Sequence, residues 1–267
     1  MTKNPQVVDT FMFAYEHQAL AVRLEELKDS VTLHVAAQGD RTFRGEPRDI
    51  VDLSASVITR EVSMPEGGEN FVDPFWNGAR GGAWMRDKYL RDVSLLEAVS
   101  VADPDAFFVV CDGDEIPHPE SIAQAISEYD EKGPRTLPNT YREWYANWIA
   151  PDRWQPPHAH MNQPVIGKLQ DFTKVGGAHM ARCARWADKW PYTDHWGWHL
   201  SNLGDAQLVS DKFGQFAHTE NNNRRDRDVE RLEKFRTNRL DATKRFELKL
   251  TDDVPLCVPS KFPELLW

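Results

Sequence analysis

Three carboxylates fall within four residues at Asp112, Asp114 and Glu115. They follow directly on the apolar run Phe107-Phe108-Val109-Val110-Cys111. A short apolar run ended by Gly113 and Pro117 has the pattern of a buried strand. The acids therefore stand where a strand leaves the core, and in open α/β sheets that edge is where ligands bind. Clustered carboxylates repel one another, and each is costly to desolvate. A hard divalent cation, Mn2+ or Mg2+, relieves both penalties. The spacing thus points to a metal-diphosphate site of the Asp-x-Asp type. Asp112 and Asp114 are its metal ligands, and the Asp114 carboxylate is expected to be exposed at the strand end. The bland alternative is an acidic surface turn with Asp114 capping the next helix. Such a turn needs no apolar strand behind it.

A second group is Asp194-His195-Trp196-Gly197-Trp198-His199-Leu200-Ser201. Flat apolar faces beside titratable nitrogens suit a sugar ring, which has apolar C–H faces and polar edges. Taken together, the group suggests a pocket lined by Trp196 and Trp198; either Trp alone reads better as core. If the group activates a hydroxyl, it needs a general base within reach, and the candidates are Asp194, His199, Glu220 and Glu143. A third group is Phe216-Ala217-His218-Thr219-Glu220, followed by Asn221-Asn222-Asn223-Arg224-Arg225. His218 could supply a metal ligand from a second segment, although a lone histidine is more often structural. Arg224, Arg225 and Arg227 lie at an expected helix start, where the macrodipole disfavours cations unless an anion is held there. A solvated helix end explains them equally well. Residues 221–225 are expected to form a lid over the diphosphate.

The elements that must position these groups alternate. Residues 7–15 read as a strand and 16–27 as an amphipathic helix with Leu20, Leu24 and Leu27 at helical spacing. Residues 31–36 and 50–62 read as strands, and 65–82 as a long loop rich in Gly and Pro. Residues 84–99 form a helix with Met85, Tyr89, Leu95, Leu96 and Val99 as its core face. The acid-ended strand comes next, then a helix over 119–129. Strands alternating with helices argue for a parallel or mixed sheet covered by helices. Further on, 165–172 reads as a strand, and 224–240 as a charged helix with Asp226 at its N-cap. One domain spans 1–267, with a nucleotide-sugar and metal half at 1–131. The acceptor half and a C-terminal helix occupy 132–267.

The net charge is −10, which argues against a general electrostatic grip on nucleic acid and leaves room only for a local basic groove. Three scattered cysteines, Cys111, Cys183 and Cys257, make neither a disulfide framework nor a zinc pattern. Reduced thiols in a soluble, cytoplasmic protein are the simplest account. No signal peptide and no apolar run of membrane-spanning length is visible.

The ordered set of motifs resembles glycosyltransferase family 17, which includes β-1,4 N-acetylglucosaminyltransferase catalytic domains. The likeness runs through Asp9-Thr10-Phe11, Glu16, Leu20, Arg23-Leu24, Leu27 and Thr42-Phe43-x-Gly45. It continues through Trp84, Arg91 and Asp112-x-Asp114-Glu115-Ile116-Pro117, and closes with Gly197-Trp198-His199-x-Ser201, Phe216-x-His218-x-Glu220 and Asp241. It departs at Gln38, where the family commonly has Glu, and at Leu90, where a Gln precedes the Arg. The resemblance implies a GT-A-like (Rossmann-like) α/β fold with a mixed, mostly parallel central sheet. It also implies a nucleotide-sugar donor, a UDP-sugar such as UDP-GlcNAc, and Mn2+ or Mg2+ as cofactor. Inversion at the anomeric carbon goes with it. On this reading Glu16, Arg23, Arg91, Asp112 and Glu115 hold the donor, and Asp112, Asp114 and His218 the metal. The acceptor is a glycan, a small molecule or a modified nucleic-acid base. Two other classes remain open at this point: an Asp-x-Asp phosphatase with Asp112 as nucleophile, and a non-catalytic sugar-binding protein on the same fold.

Overall fold

The structure is a computed structural model that describes residues 5–72, 81–152, 155, 163–184, 190–218 and 223–267. In chain order the elements are β1 (Val7–Met12), α1 (His17–Leu27), β2 (Leu33–Gly39), β3 (Val57–Val62), α2 (Gly82–Val99), β4 (Phe107–Asp112) and β5 (Glu115–Ile116). Then come α3 (Pro119–Ser127), α4 (Tyr129–Lys132), β6 (Arg135–Thr136), β7 (Asn139–Trp144), β8 (Trp148–Ile149), β9 (Val165–Lys168), α5 (Leu169–Val175) and α6 (Ala178–Ala184). The remainder is β10 (Gly197–Leu203), α7 (Ala206–Gln215), α8 (Val229–Thr237), β11 (Lys249–Leu250) and α9 (Val258–Lys261).

The first sheet has the order β3-β2-β1-β4-β9-β6. Its first four strands are parallel, and β9 and β6 add antiparallel pairings at one side. This is a mixed α/β fold with a Rossmann-like parallel core, as expected of a GT-A-like fold. Helices cover both faces, so β1 is buried throughout, including its Asp9 and Thr10, and β4 is a buried apolar run up to the half-buried Asp112. Side chains alternate between the faces. Phe107, Val109 and Cys111 join the core that contains Leu20 and Leu27 of α1. Phe108 and Val110 join the core that contains Leu95 and Ala98 of α2. Truncating a side chain such as Phe108, which is buried, costs about 3–5 kcal/mol.

The second sheet has the order β11-β8-β7-β10-β5, with β10 parallel to β7 and antiparallel to β5. A third core, with Trp144, Trp148, Val209, Phe213, Leu232 and Phe235, packs around it and joins it to α7 and α8. β4 ends at Asp112 in the first sheet and β5 starts at Glu115 in the second. The carboxylate turn is therefore the hinge piece between the two sheets. Its middle residue is Gly113 because a Cβ there would meet the Met12 carbonyl at 2.9 Å.

Several local expectations change. α2 buries Arg86, Asp87, Arg91 and Ser94 beside Leu90 and Leu95, while Tyr89 and Leu96 are exposed. The buried face is thus partly charged, which apolar periodicity cannot detect. The strand expected over 165–172 stops at Lys168, where Asp171 accepts from the Lys168 amide and starts α5. The charged helix starts later than expected. Its N-cap is Asp228, which accepts from the Arg231 amide (2.8 Å), rather than Asp226. Among the described residues no helix is long and apolar enough to cross a membrane.

Candidate active site

Alternation along β4 puts Asp112 on the face of Phe108 and Val110, towards α2. There Asp112 Oδ1 accepts from Arg91 Nη2 (3.1 Å) and Arg182 Nη1 (2.9 Å). Arg91 is itself paired with Asp87 one turn earlier (2.8 Å). Arg182 of α6 also donates to Glu115 Oε1 (2.8 Å), and Glu115 Oε2 accepts from the Asp112 amide (2.8 Å). Burial pushes the Asp112 carboxyl up, but the Arg182 and Arg91 charges outweigh it and bring it below its ordinary value. For Glu115 burial wins over Arg182, and the carboxyl is raised.

Asp114 faces the second sheet. Its Oδ2 accepts from Lys212 Nζ of α7 (2.9 Å), and its Oδ1 lies 3.5 Å from His199 Nε2 of β10. The register places His199 opposite Glu115, and the Leu200 amide donates to the Asp114 carbonyl. Burial would raise the Asp114 carboxyl, yet Lys212 and then His199 hold it well below the usual carboxylate range. The same pairing outweighs burial for its partners and raises both His199 and Lys212. Among the described residues, the buried His199 Nδ1 has no hydrogen-bond partner. The expectation of an exposed Asp114 is corrected: its side chain is 8% exposed, because α7 closes over it.

Beneath the turn lies Arg23, fully buried on α1. Its guanidinium pairs with Asp9 of β1 (2.5 and 2.7 Å) and donates to the carbonyls of Asp112 (3.2 Å) and Glu115 (2.6 Å). His34 Nδ1 lies 2.8 Å from the same Asp9. Arg23 is thus a scaffold for the turn rather than a donor contact, since no face of it reaches solvent. Glu16 precedes α1, accepts from the Ala14 and Tyr15 amides (both 3.0 Å) and lies against Gly113. Burial raises the Glu16 carboxyl against the pull of Lys212.

The fold brings Glu16, Arg23, Arg91, Asp112, Asp114, Glu115 and His199 together around one turn. It does not bring the other expected residues there. Asp194 is bonded to Gln124 of α3 through its amide and carboxylate, beyond the opposite end of β10. Trp198 is 1% exposed in the first core, so it offers no face to an acceptor. Trp196 is exposed, but it lies four residues before Leu200, about 13 Å back along an extended chain. The His218 ring packs on Trp84 (4.7 Å) and Phe216 (5.4 Å). Asp112, Asp114 and His218 do not converge as a three-ligand set among the described residues. The cation that the carboxylates demand is supplied by Arg91, Arg182 and Lys212. As they stand, these residues do not fit a divalent ion, because the Lys212 ammonium already occupies Asp114. Glu220 and residues 221–222 of the expected lid lie outside the described residues.

Lys212 and Arg182 carry no apolar or motif signal of their own. Arg182 is buried on α6, and Lys212 borders the buried stripe of α7 one turn after Val209, with 11% of its side chain exposed. A lone cation on such a stripe is the sign that could have found them. Glu143 of β7 is also buried. Its Oε1 accepts from Asn202 Nδ2 (2.6 Å) and the Ala242 amide (2.9 Å), and Tyr141 donates to Oε2 (3.1 Å). Burial, helped by Asp241, pushes its carboxyl up to about 7.

No family model matches the chain. Over 126 residues, 44% of the chain, it is 29% identical to the beta-1,4-mannosyl-glycoprotein 4-beta-N-acetylglucosaminyltransferase of Rattus norvegicus. The Homo sapiens and Mus musculus proteins of that name match equally, at 29% identity over the same length. The chain spans 22% of the length of the rat protein and 23% of the human one. The similarity relates it to glycosyltransferases.

Proposed function

We propose that the chain is a glycosyltransferase that moves a sugar from a nucleoside-diphosphate donor, a UDP-sugar such as UDP-N-acetylglucosamine, to a hydroxyl of its acceptor, with inversion. The observation that carries this reading is the convergence of Arg91, Arg182, Lys212 and His199 on a carboxylate turn at the carboxyl edge of a parallel sheet. Ligands of such sheets bind at that edge. The similarity to N-acetylglucosaminyltransferases supports the same class.

On this reading the cations do two jobs. Paired with Asp112, Asp114 and Glu115, they hold the turn in one shape. Turned towards a diphosphate, they stabilise the negative charge that grows on the leaving group as the glycosidic bond breaks. Preorganised charges of this kind cost no reorganisation at the moment of reaction. Asp114 outweighs burial and raises His199 above its ordinary value, which favours the charged form of the ring on the side of the turn where the leaving group would sit. Glu16, just before α1, borders the same turn and lines one small cavity with Lys212.

The test is release of nucleoside diphosphate from a panel of nucleotide sugars, with Asp114→Asn as control. Release that depends on the donor sugar and is lost in the variant is expected. Phosphate release from a generic phosphate ester, with every nucleotide sugar left intact, would overturn the reading in favour of a phosphatase. Binding of nucleotide sugar without turnover would leave a sugar-binding protein.

A further inference from the structure

The residues Asp194 and His195, expected at the transfer site, build something else. Antiparallel pairing of β5 with β10 sets Ile116 opposite Trp198. It therefore brings the residues just before β10 against the start of α3. The approach is close: a Cβ on Gly197 would meet the Ile116 carbonyl at 2.3 Å and the His118 amide at 2.7 Å. The loop is then tied to α3 by side chains. Ser121 lies 2.9 Å from Thr193 Oγ1 and donates to the His195 carbonyl, and Gln124 binds Asp194 at both its amide (2.9 Å) and its carboxylate (2.7 Å).

This clamp fixes three ligating side chains from two segments. The His118 and His195 rings stack with centroids 5.5 Å apart, and His195 Nδ1 lies 3.0 Å from Glu120 Oε2. His118 is oriented from behind by the buried Trp198 ring, at 5.3 Å. One ligand atom from each of His118, Glu120 and His195 lies within 4.8 Å of the other two. It is the one such trio of His, Cys, Asp or Glu among the described residues.

We propose that His118, Glu120 and His195 form a binding site for a borderline transition-metal ion, Zn2+ or Ni2+ rather than Mg2+, separate from the carboxylate turn. Two imidazoles and one carboxylate are a donor set that such ions favour, with a fourth position left for water. The ion would stand between His195 Nδ1 and Glu120 Oε2, which now lie 3.0 Å apart. His118 Nδ1 now accepts from the Glu120 amide at the start of α3. A neutral ring that accepts at Nδ1 carries its proton on Nε2, so ligation through either nitrogen gives up that bond. Metal binding therefore competes with a helix cap, and its affinity is lower by the strength of that cap.

The experiment is calorimetric titration of the full chain with Zn2+, repeated at a pH one unit lower. The expected result is one binding event that weakens as the pH falls, because bound ligands must lose protons. His195→Ala removes an exposed ligand without touching the core. His118→Asn removes a ligand and keeps an N-cap residue. Both are expected to weaken Zn2+ binding by about tenfold or more, the loss that even an outer-shell partner causes. Asp114→Asn is expected to titrate like the wild type. No Zn2+ binding by the wild type overturns the site, and so does affinity that both histidine variants leave unchanged. Loss in Asp114→Asn alone would place the ion at the carboxylate turn instead.

Discussion

Two buried sets of carboxylates in this molecule are neutralised in opposite ways. At the turn between the sheets, Asp112, Asp114 and Glu115 face Arg91, Arg182 and Lys212. In the second sheet, the partners of Glu143 among the described residues are the neutral Asn202, Tyr141 and Ala242 amide. Cations keep Asp112 and Asp114 ionised; at Glu143 a proton does the neutralising, and its carboxyl rises to about 7. The difference is one of use. A cation paired with a carboxylate can be shared with an incoming phosphate, whereas a protonated acid held by neutral groups offers no such exchange. The turn reads as machinery, and Glu143 as its support behind Tyr141 and His199, whose rings pack edge to face.

The strongest way to break this contrast is Asp114→Ala. It leaves Lys212 and His199 buried without their carboxylate. Breaking one partner of a buried pair is expected to cost about 3–5 kcal/mol in urea denaturation, together with the loss of transfer. Lost transfer at unchanged stability would show that the pair is not structural. Next comes Lys212→Met, which is expected to lower turnover by about a hundredfold to a thousandfold, as removal of one preorganised charge does. Turnover should not return with Mn2+, and nucleoside-diphosphate binding by the wild type should survive chelation. Recovery with Mn2+ would mean that a metal takes over where the ammonium stood.

Glu143→Gln sharpens the other side. The Glu143 carboxyl is raised from 4.5 to about 7, so the folded state binds more protons than the unfolded chain between those values. Stability from this group is full below the unfolded value, falls as pH rises through about 7, and then levels off. The wild type is expected to lose about 3 kcal/mol relative to the variant across that window, read as the difference between their denaturation midpoints. Parallel pH profiles would show that Glu143 is ionised in the fold. The smallest effect belongs to Leu96→Ser on α2, whose opposite face carries Arg91. Leu96 is 61% exposed, and the change is expected to stay within about 0.5 kcal/mol and to leave turnover unaltered.

The parts of this protein that local pattern determines were legible in the chain. Five apolar residues before Asp112 make a buried strand in any context, and Gly113 and Pro117 end it. The alternation of strands and helices over 7–131 requires a parallel or mixed sheet, because a parallel connection needs a crossover. The acids at the strand end follow from the same pattern. What local pattern misled on were Asp194, Trp196 and Trp198: the extended chain carries the first two away from His199, and strand alternation turns Trp198 to the opposite face, into the first core. The tertiary structure alone decided which cations meet the acids. Arg91, Arg182 and Lys212 come from three helices, 21, 70 and 98 residues from their carboxylate partners. Apolar periodicity is a statement about one helix and its water-shy face. A charge can lie on that face only when it is paired or hydrogen-bonded there; for Asp112 and Asp114 the partners come from other elements, which is a property of the packed molecule, not of the segment.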